Sequence, residues 1–501
     1  MKREAFIICI LHTYLIISHT CNVQNITGTL KTDREALKKL LPAEDILEFA
    51  FQTERGDEFV VLFTDPVTDK ELLGQLVVRP LLRFDGEKTA EAIGKNLAFP
   101  EQRKEKSLEK LAEEILAGNP VLLWEGMDEG LIVGTKKVFI RAIAEPPTDV
   151  TIKGPREGFI EDIKVNTSLI RRRFKTGELK IEFLKVGRRS QTFVAVCYLE
   201  GTSIEKVVEE VKEKLNKIDI DVVPDSSYLT HFLASRPNSL MKQVGTTEKP
   251  DIFCAKIAEG RVGILVDGSP IALTVPYLIV EDFQSSEDYF VPHYRATFTR
   301  LLRLFALLVA IYLPAFYVAA QLFKLQLIPV KLLLTISGSI RDLPLSPSLE
   351  MLLVLLVLEI LNEASIRMPK YVGMALSVVG ALVLGETAVS AGFVSTPAII
   401  IVAFSGIGLY AVPNLIEETS VVRLAMLLVA GSVGTYGIIL ATGFILFYLV
   451  TTDTFGSPLV APFSPMIGKD LRDSLVKYNL GSLDTRPVTL GSKNKRRLRH
   501  E

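Results

Sequence analysis

The sequence predicts an α/β cytosolic region made of two related α/β subdomains, followed by a polytopic α-helical transmembrane domain. Three observations predict it. Residues 299–451 form a nearly unbroken series of apolar segments, beginning RLLRLFALLVAIYLPAFYVAAQL. About 20 apolar residues span a bilayer's hydrocarbon core as a helix. Charge divides the chain at the same place: residues before 299 are rich in Lys, Arg, Asp and Glu, and residues 301–451 carry few. Finally, one strand–turn–strand pattern occurs twice in the polar half, offset by about 140 residues, which marks an internal repeat.

The repeat is read from the residues in order. FVVLFT at 59–64 is a short apolar strand, and Leu108 to Leu116 is a helix. PVLLW at 120–124 and LIVG at 131–134 flank EGMDEG, which makes a hairpin. Later, FVAVCYL at 193–199 is a strand. Thr202 and Glu205 then have capping-box spacing, and Ile204, Val207, Val208, Val211 and Leu215 share one helix face. Ile218 to Val223 is expected to close a β-α-β unit. GRVGILVDG at 260–268 leading into IALTV mirrors GNPVLLWEG at 118–126 leading into LIV. Leu122 then matches Ile264, Leu123 matches Leu265, Glu125 matches Asp267 and Gly126 matches Gly268.

The expected divisions are an N-terminal extension at 1–29, subdomain 1 at 30–145, a linker at 146–165, subdomain 2 at 166–298, the transmembrane domain at 299–451 and a basic tail at 452–501. Lys2 and Arg3 before Ala5–Ser18 have the form of a secretory signal. Arg295, Arg300 and Arg303 before the first span argue instead for a cytoplasmic polar half. The extreme N-terminus therefore reads as a non-cleaved extension or a mis-assigned start. The linker carries Pro146-Pro147 and Gly154-Pro155, which break regular structure. Asn166 to Phe174 is a basic helix or arm. Arg171, Arg172 and Arg173, with Arg188 and Arg189, form a positive cluster. It suits docking on anionic headgroups or a neighbouring subunit, and equally a solvated, salt-bridged surface.

In the apolar half the first span is about Arg300 to Leu322, with Pro314 inside it. Ile328 to Ile340 reads as amphipathic or re-entrant. Residues 349–361 are apolar but interrupted by Glu359. Glu359, Glu363 and Arg367 share a helix face, with Asn362 beside them. Ionisable groups at membrane depth are costly and mark function by default, so these are pore or gating candidates, with Glu386 a further one. A stripe facing a water-filled path and a set of paired, hydrogen-bonded side chains both accommodate them. Gly373, Ser377, Ala381 and Gly385 recur every four residues as a small helix-packing face. Another span covers 395–412, and Val421 to Val450 is too long for one simple crossing. The basic tail KNKRRLR at 493–499 favours the same side as the Arg-rich approach. Both ends on one side require an even number of crossings, so one of five apolar segments folds back. The glycine-interrupted last segment is expected to do so.

Several long stretches carry a resemblance. GPREGF at 154–159, NTSLIRRR at 166–173, VGRRS at 186–190 and EGRVGILVDGSP at 259–270 resemble the A subunit of GerA-type spore germination receptors. So do IPVKLLLTI at 328–336, EILNEASIRMPK at 359–370 and SVVGALVLGETAV at 377–389. The order is consistent over roughly residues 45–465. That family usually has Gln where this chain has Glu386. The resemblance implies a multi-pass subunit in the spore inner membrane, working with a transporter-like B subunit and a lipoprotein C subunit. It also implies a homo-oligomer that releases monovalent cations in response to a nutrient. A non-conducting scaffold is the alternative.

Composition limits the other classes. The chain has 501 residues, 48% hydrophobic and 23% charged, with net charge −1, so no nucleic-acid partner is expected. Five histidines are dispersed, and no grouping has metal or nucleophile spacing. VDGSP at 266–270 reads as a hairpin turn and not a phosphate loop. Neither an enzyme activity nor a cofactor is expected. Cys9, Cys21, Cys197 and Cys254 read as free thiols of a reducing compartment.

Overall fold

The computed structural model describes residues 25–497 apart from 66, 98, 100, 136–152, 341–342, 368–371, 373–379 and 381. The expectations for the N-terminal run, for Pro146-Pro147 and for Gly373, Ser377 and Ala381 lie outside the described residues.

The first polar unit contains α1 (Leu30–Leu40), β1 (Ile46–Gln52), β2 (Glu58–Thr64), β3 (Gln102–Glu105), α2 (Leu108–Leu116), β4 (Val121–Trp124) and β5 (Gly130–Val133). The second contains α3 (Ile163–Arg173), β6 (Leu179–Val186), β7 (Thr192–Leu199), α4 (Glu205–Asn216), α5 (Ser226–Leu233), β8 (Gly245–Thr247), α6 (Pro250–Ala258), β9 (Val262–Val266) and β10 (Ala272–Val275). The two five-stranded sheets run β1-β2-β4-β5-β3 and β6-β7-β9-β10-β8, the same order relative to the chain. Every pairing is antiparallel.

The two units match down to single hydrogen bonds. Glu125 accepts the N–H of Leu30 at 2.9 Å, and Asp267 accepts that of Ile163 at 3.3 Å. Each carboxylate thus meets the first residue of α1 or α3, where helix N–H groups lack partners and the dipole favours negative charge. The next residue, Gly126 or Gly268, donates to the carbonyl of Gly28 or Glu161. Both glycines have positive φ, 81° and 85°, in a region a side chain rarely enters. Asp33 and Asn166 each accept a backbone N–H from six residues earlier, Thr27 and Ile160, at 2.9 Å.

Two local expectations are corrected. Ile218–Val223 is irregular and not a strand. The antiparallel sheet needs no parallel strand after α4, and Ile218, Ile220 and Val223 simply pack on the core. Thr202 does not cap α4, whose N-cap is Ile204 with no side-chain hydrogen bond. Thr202 is buried, and its carbonyl accepts the N–H of Lys493 from the C-terminal tail.

Arg171 joins the two units. Its side chain is fully buried against the equally buried Asp45 of the first unit. Nε donates at 3.0 Å and Nη2 at 2.7 and 2.8 Å, a fork geometry that only arginine offers a carboxylate. Nη1 donates to the Thr176 carbonyl at 3.2 Å. Beside it Lys180 donates to the Pro42 carbonyl, and Glu44 accepts the N–H of Phe183.

The helical half holds α7 (His293–Phe323), α8 (Val330–Ile340), α9 (Pro347–Arg367), α10 (Thr396–Tyr410), α11 (Ile416–Val433) and α12 (Thr435–Val450). Pro314 lies inside the continuous α7 and is buried. The last apolar segment forms two helices, broken at Gly434, whose φ is 73°. Ala315, Ala319, Val422, Met426, Ala430 and Ile438 pack α7, α11 and α12 together. Small residues permit the closest approach: a Cβ at Gly408 would stand 2.5 Å from the Ala306 carbonyl oxygen of α7. Among the described helices, α7 is long and apolar enough to cross a membrane; α10 with Pro413–Val433 passes that test only as a pair bent by 107°, and α12 is shorter.

Breaking a buried ion pair leaves one uncompensated charge and costs about 3–5 kcal/mol. Arg171→Met should therefore destabilise the protein by about that amount in chemical unfolding, and adding Asp45→Leu should recover most of it. A single-variant loss under about 1 kcal/mol, the size of an exposed pair, contradicts this placement.

Candidate functional site

After β10 the chain makes two short turns of helix, Ile279–Phe283 and Ser286–Tyr289, before entering α7. These turns carry Glu281, Asp282 and Asp288, all buried. Each acid is claimed by a different part of the molecule. Glu281 pairs with Arg261 and with Lys256 of α6. Asp282 accepts from Tyr277 and from Lys242, whose ammonium also donates to the Asn414 carbonyl at the α10–α11 bend. Asp288 meets Arg300 and Arg303 of α7 at 2.9 Å each.

The C-terminal tail closes the same junction. Arg300, fully buried, donates to the Ser474 carbonyl at 2.6 Å and to Asp473 at 3.1 Å. Lys477 donates to the Asp288 carbonyl. Tyr289 donates to Asp473 at 3.1 Å, and Gln284 to its carbonyl. Leu278 and Val280 pack with Ala461 and Leu490. The end of α12 is held as well: Tyr448 shares a hydrogen bond with Ser239, and Arg236 donates to Thr451 and Thr452. Of the basic run at 493–499, Lys493 pairs with Glu205 and Arg497 lies 3.9 Å from Glu259.

A cavity of about 540 Å³ sits at this junction. Lys256, Arg261 and Arg303 face it from one side of the charge ledger, and Asp251, Glu281 and Asp282 from the other. Ala411 and Pro413 of the bend and Leu480 of the tail complete the wall. Burial pushes the Glu281 carboxyl up, but Arg261 and Lys256 outweigh it and hold it at about 2. Burial also raises the Tyr277 phenol and, over the pull of Lys242, the Asp282 carboxyl. Among the described residues no group of three His, Cys, Asp or Glu side chains could hold a metal. Cys197 and Cys254 are buried thiols, the latter pushed up by burial to about 12.

The sequence-derived candidates fall into separate places. Glu359 of α9 pairs with Arg423 of α11, which is 1% exposed. Arg423 also donates to Ser405 of α10 at 3.0 Å, and Ser405 donates to the Ala310 carbonyl of α7 at 2.8 Å. One acid thus ties four helices. Asn362 accepts from Tyr410 at 2.6 Å. Glu363 and Arg367 pair with each other on the exposed face. Glu386 is exposed on a wide helical turn, Val383–Thr387, and Gly385 beside it has open space around it.

The basic cluster is divided. Arg171 is buried in the Asp45 pair and is unavailable for docking. Arg172 and Arg173 both engage Glu157, Arg188 engages Asp219, and Arg189 lies 3.8 Å from Asp221. Sequence reasoning missed the acids before α7 and missed Glu350, which is fully buried. Glu350 interrupts the same apolar run as Glu359, so its signal was present. For Glu281, Asp282 and Asp288 no pattern distinguished buried acids from solvated ones.

The depressed Glu281 carboxyl sets a pH dependence. Its ordinary value is 4.5 and its folded value about 2, so its stabilisation is complete above pH 4.5 and lost as pH falls through about 2. Compared with Glu281→Gln, the wild type should lose about 3 kcal/mol of stability across that window. Parallel acid profiles of the two proteins would refute the pairing.

Comparison with known proteins follows the same span. The model of the family described as Bacillus/Clostridium GerA spore germination protein matches residues 34–489. Spore germination protein KA of Bacillus subtilis (strain 168) is 33% identical over 473 residues, 93% of this chain and 87% of that protein. Spore germination protein B1 of the same organism is 30% identical over 471 residues, 92% of this chain and 97% of that protein. Spore germination protein GerQA of Bacillus cereus is 34% identical over 409 residues, 81% of this chain and 82% of that protein. The crystal structure of the N-terminal domain of the A subunit of the Bacillus megaterium spore germinant receptor GerK3 is similar over 52% of this chain and 98% of that domain, at 22% identity and a TM-score of 0.41. The chain belongs to the Bacillus/Clostridium GerA family of spore germination proteins.

Proposed function

We propose that the chain is the A subunit of a spore germinant receptor. It is a non-enzymatic, multi-pass subunit of the spore inner membrane, with its α/β region on the cytoplasmic side. It works with a transporter-like B subunit and a lipoprotein C subunit, and as a homo-oligomer it passes monovalent cations when a nutrient is sensed.

The observation that carries this reading is the junction. One α/β unit grips the start of α7, the α10–α11 bend and the end of α12. This supports the reading in which both ends of the helical half lie on one side and the number of crossings is even. Force or displacement at the junction reaches the helices through buried charge pairs and not through a flexible tether. Two packings of the bundle biased by a partner's ligand are what coupling requires.

The helix surfaces support a membrane setting. Phe305, Phe404, Ile407, Leu440, Phe444 and Phe447 are large apolar side chains left exposed. Water-soluble monomers rarely expose apolar patches of that extent. On α9 the exposed face continues Leu349, Leu353, Leu356 and Ile360 into Glu363 and Arg367. A charged pair on such a face is poorly suited to lipid and suits another copy or a water-filled mouth.

A non-conducting scaffold is the second reading, and one observation favours it: Glu359 is engaged by Arg423 rather than left open to water. Reconstitution in liposomes separates the two. The conducting reading expects cation flux that falls at least about tenfold, roughly 1.4 kcal/mol in barrier height, in Glu359→Gln with Glu363→Gln. Silence of the wild type with its B and C partners present sinks conduction and leaves the scaffold.

A further inference from the structure

A second buried acid lies at the other end of the helical bundle. Glu350 is in the first turn of α9 and is fully buried. One carboxylate oxygen, Oε1, accepts the backbone N–H of Ser395, the N-cap of α10, at 2.5 Å. The other, Oε2, is buried without a hydrogen-bond partner among the described residues. No Lys, Arg or His among those residues pairs with it. Across from it lie Tyr317 and Gln321 of α7, one helical turn apart, with Tyr317 beside Ser395, Gln321 and Glu350. Both side chains are 8% exposed. The Tyr317 hydroxyl and both polar atoms of the Gln321 amide are likewise buried without a well-formed hydrogen bond among the described residues, the hydroxyl's near neighbours being the Ser395 and Gln321 side chains. A carboxylate, an amide and a phenol thus stand buried on two helices, beside a third helix's N-terminus.

Such a cluster is costly unless something satisfies it, because an unpaired buried polar group forfeits its hydration. The donor set says what does. Carboxylate, amide carbonyl and phenol oxygens are hard ligands that suit alkali and alkaline-earth ions. Calcium takes about six to eight oxygen ligands and magnesium keeps several waters, whereas this site offers three side-chain oxygens and a single acid. One negative charge in an apolar surround is neutralised by one positive charge. We propose that Glu350 Oε2, Gln321 Oε1 and the Tyr317 hydroxyl form a binding site for a single monovalent alkali cation. The site lies about 36 Å along α7 from His293, at 1.5 Å per residue. It is remote from the junction, and it does not depend on whether the chain conducts. Its occupancy locks α7, α9 and α10 together at the end of the bundle away from the α/β region.

The test uses the full chain in detergent, with thermal unfolding followed at constant ionic strength in choline, lithium, sodium and potassium chlorides. A cation that binds only the folded state raises its stability in a saturable way. The wild type should unfold higher in at least one alkali salt than in choline, and Glu350→Gln should abolish the difference. Because Glu350→Gln also weakens the α10 cap, Gln321→Leu and Tyr317→Phe are measured separately, and each should raise the half-saturating cation concentration about tenfold. An identical wild-type transition in all four salts would show a protonated carboxyl or buried waters in place of the cation, and would overturn the site. So would a wild-type salt response retained in all three variants.

Discussion

The Asp288–Arg300–Asp473 cluster is the constraint on which the rest of the architecture depends. Arg300 lies one turn before Arg303, the last charged residue of α7 ahead of its apolar length, and it is fully buried. A guanidinium there has no access to bulk water, so its stability rests on Asp288 from the approach and Asp473 from the tail. Removing either partner leaves a buried charge, which is far costlier than losing a surface pair. The tail is therefore fixed onto the start of α7, although more than a hundred residues of helical bundle separate them in sequence. Lys477 and Tyr289 join the same cluster and leave the tail little freedom. The bundle is held at both ends by one body, and that body is the α/β region.

Much of the polar half was legible because its physics is local. Short apolar runs gave FVVLFT and the two central hairpins, and the stretch Leu108 to Leu116 gave α2. The repeat was visible at Glu125-Gly126 and Asp267-Gly268 because both steps are doubly constrained: the acid caps a helix and the glycine needs positive φ. Ile218–Val223 was misread because an apolar run after a helix fits a strand and a core-packed loop equally well. Arg171 was misread for a related reason. Three consecutive arginines resemble a surface patch, and only a partner 126 residues away makes the first of them internal.

In the helical half the sequence located the apolar segments but not their folding. Val421 to Val450 was legible as too long, and Gly434 marks the break between α11 and α12. The roles of the acids were not legible. Glu359 and Glu350 look alike in an apolar run, yet one is matched by an arginine and the other, among the described residues, by a single backbone N–H. That difference is purely tertiary: Arg423 projects from α11 towards α9, while Tyr317 and Gln321 project from α7. These two acids, on one helix, are thus held in different electrostatic surroundings.

The central claim is that the tail and α7 are one cooperative unit, joined through Asp288. Hydrogen exchange of the full chain tests it most directly, comparing the wild type with Asp288→Asn. The account predicts that protection falls together in residues 297–303 of α7 and 471–478 of the tail, since both lose the same anchor. Loss confined to residues 285–290, with both other segments unchanged, would contradict it.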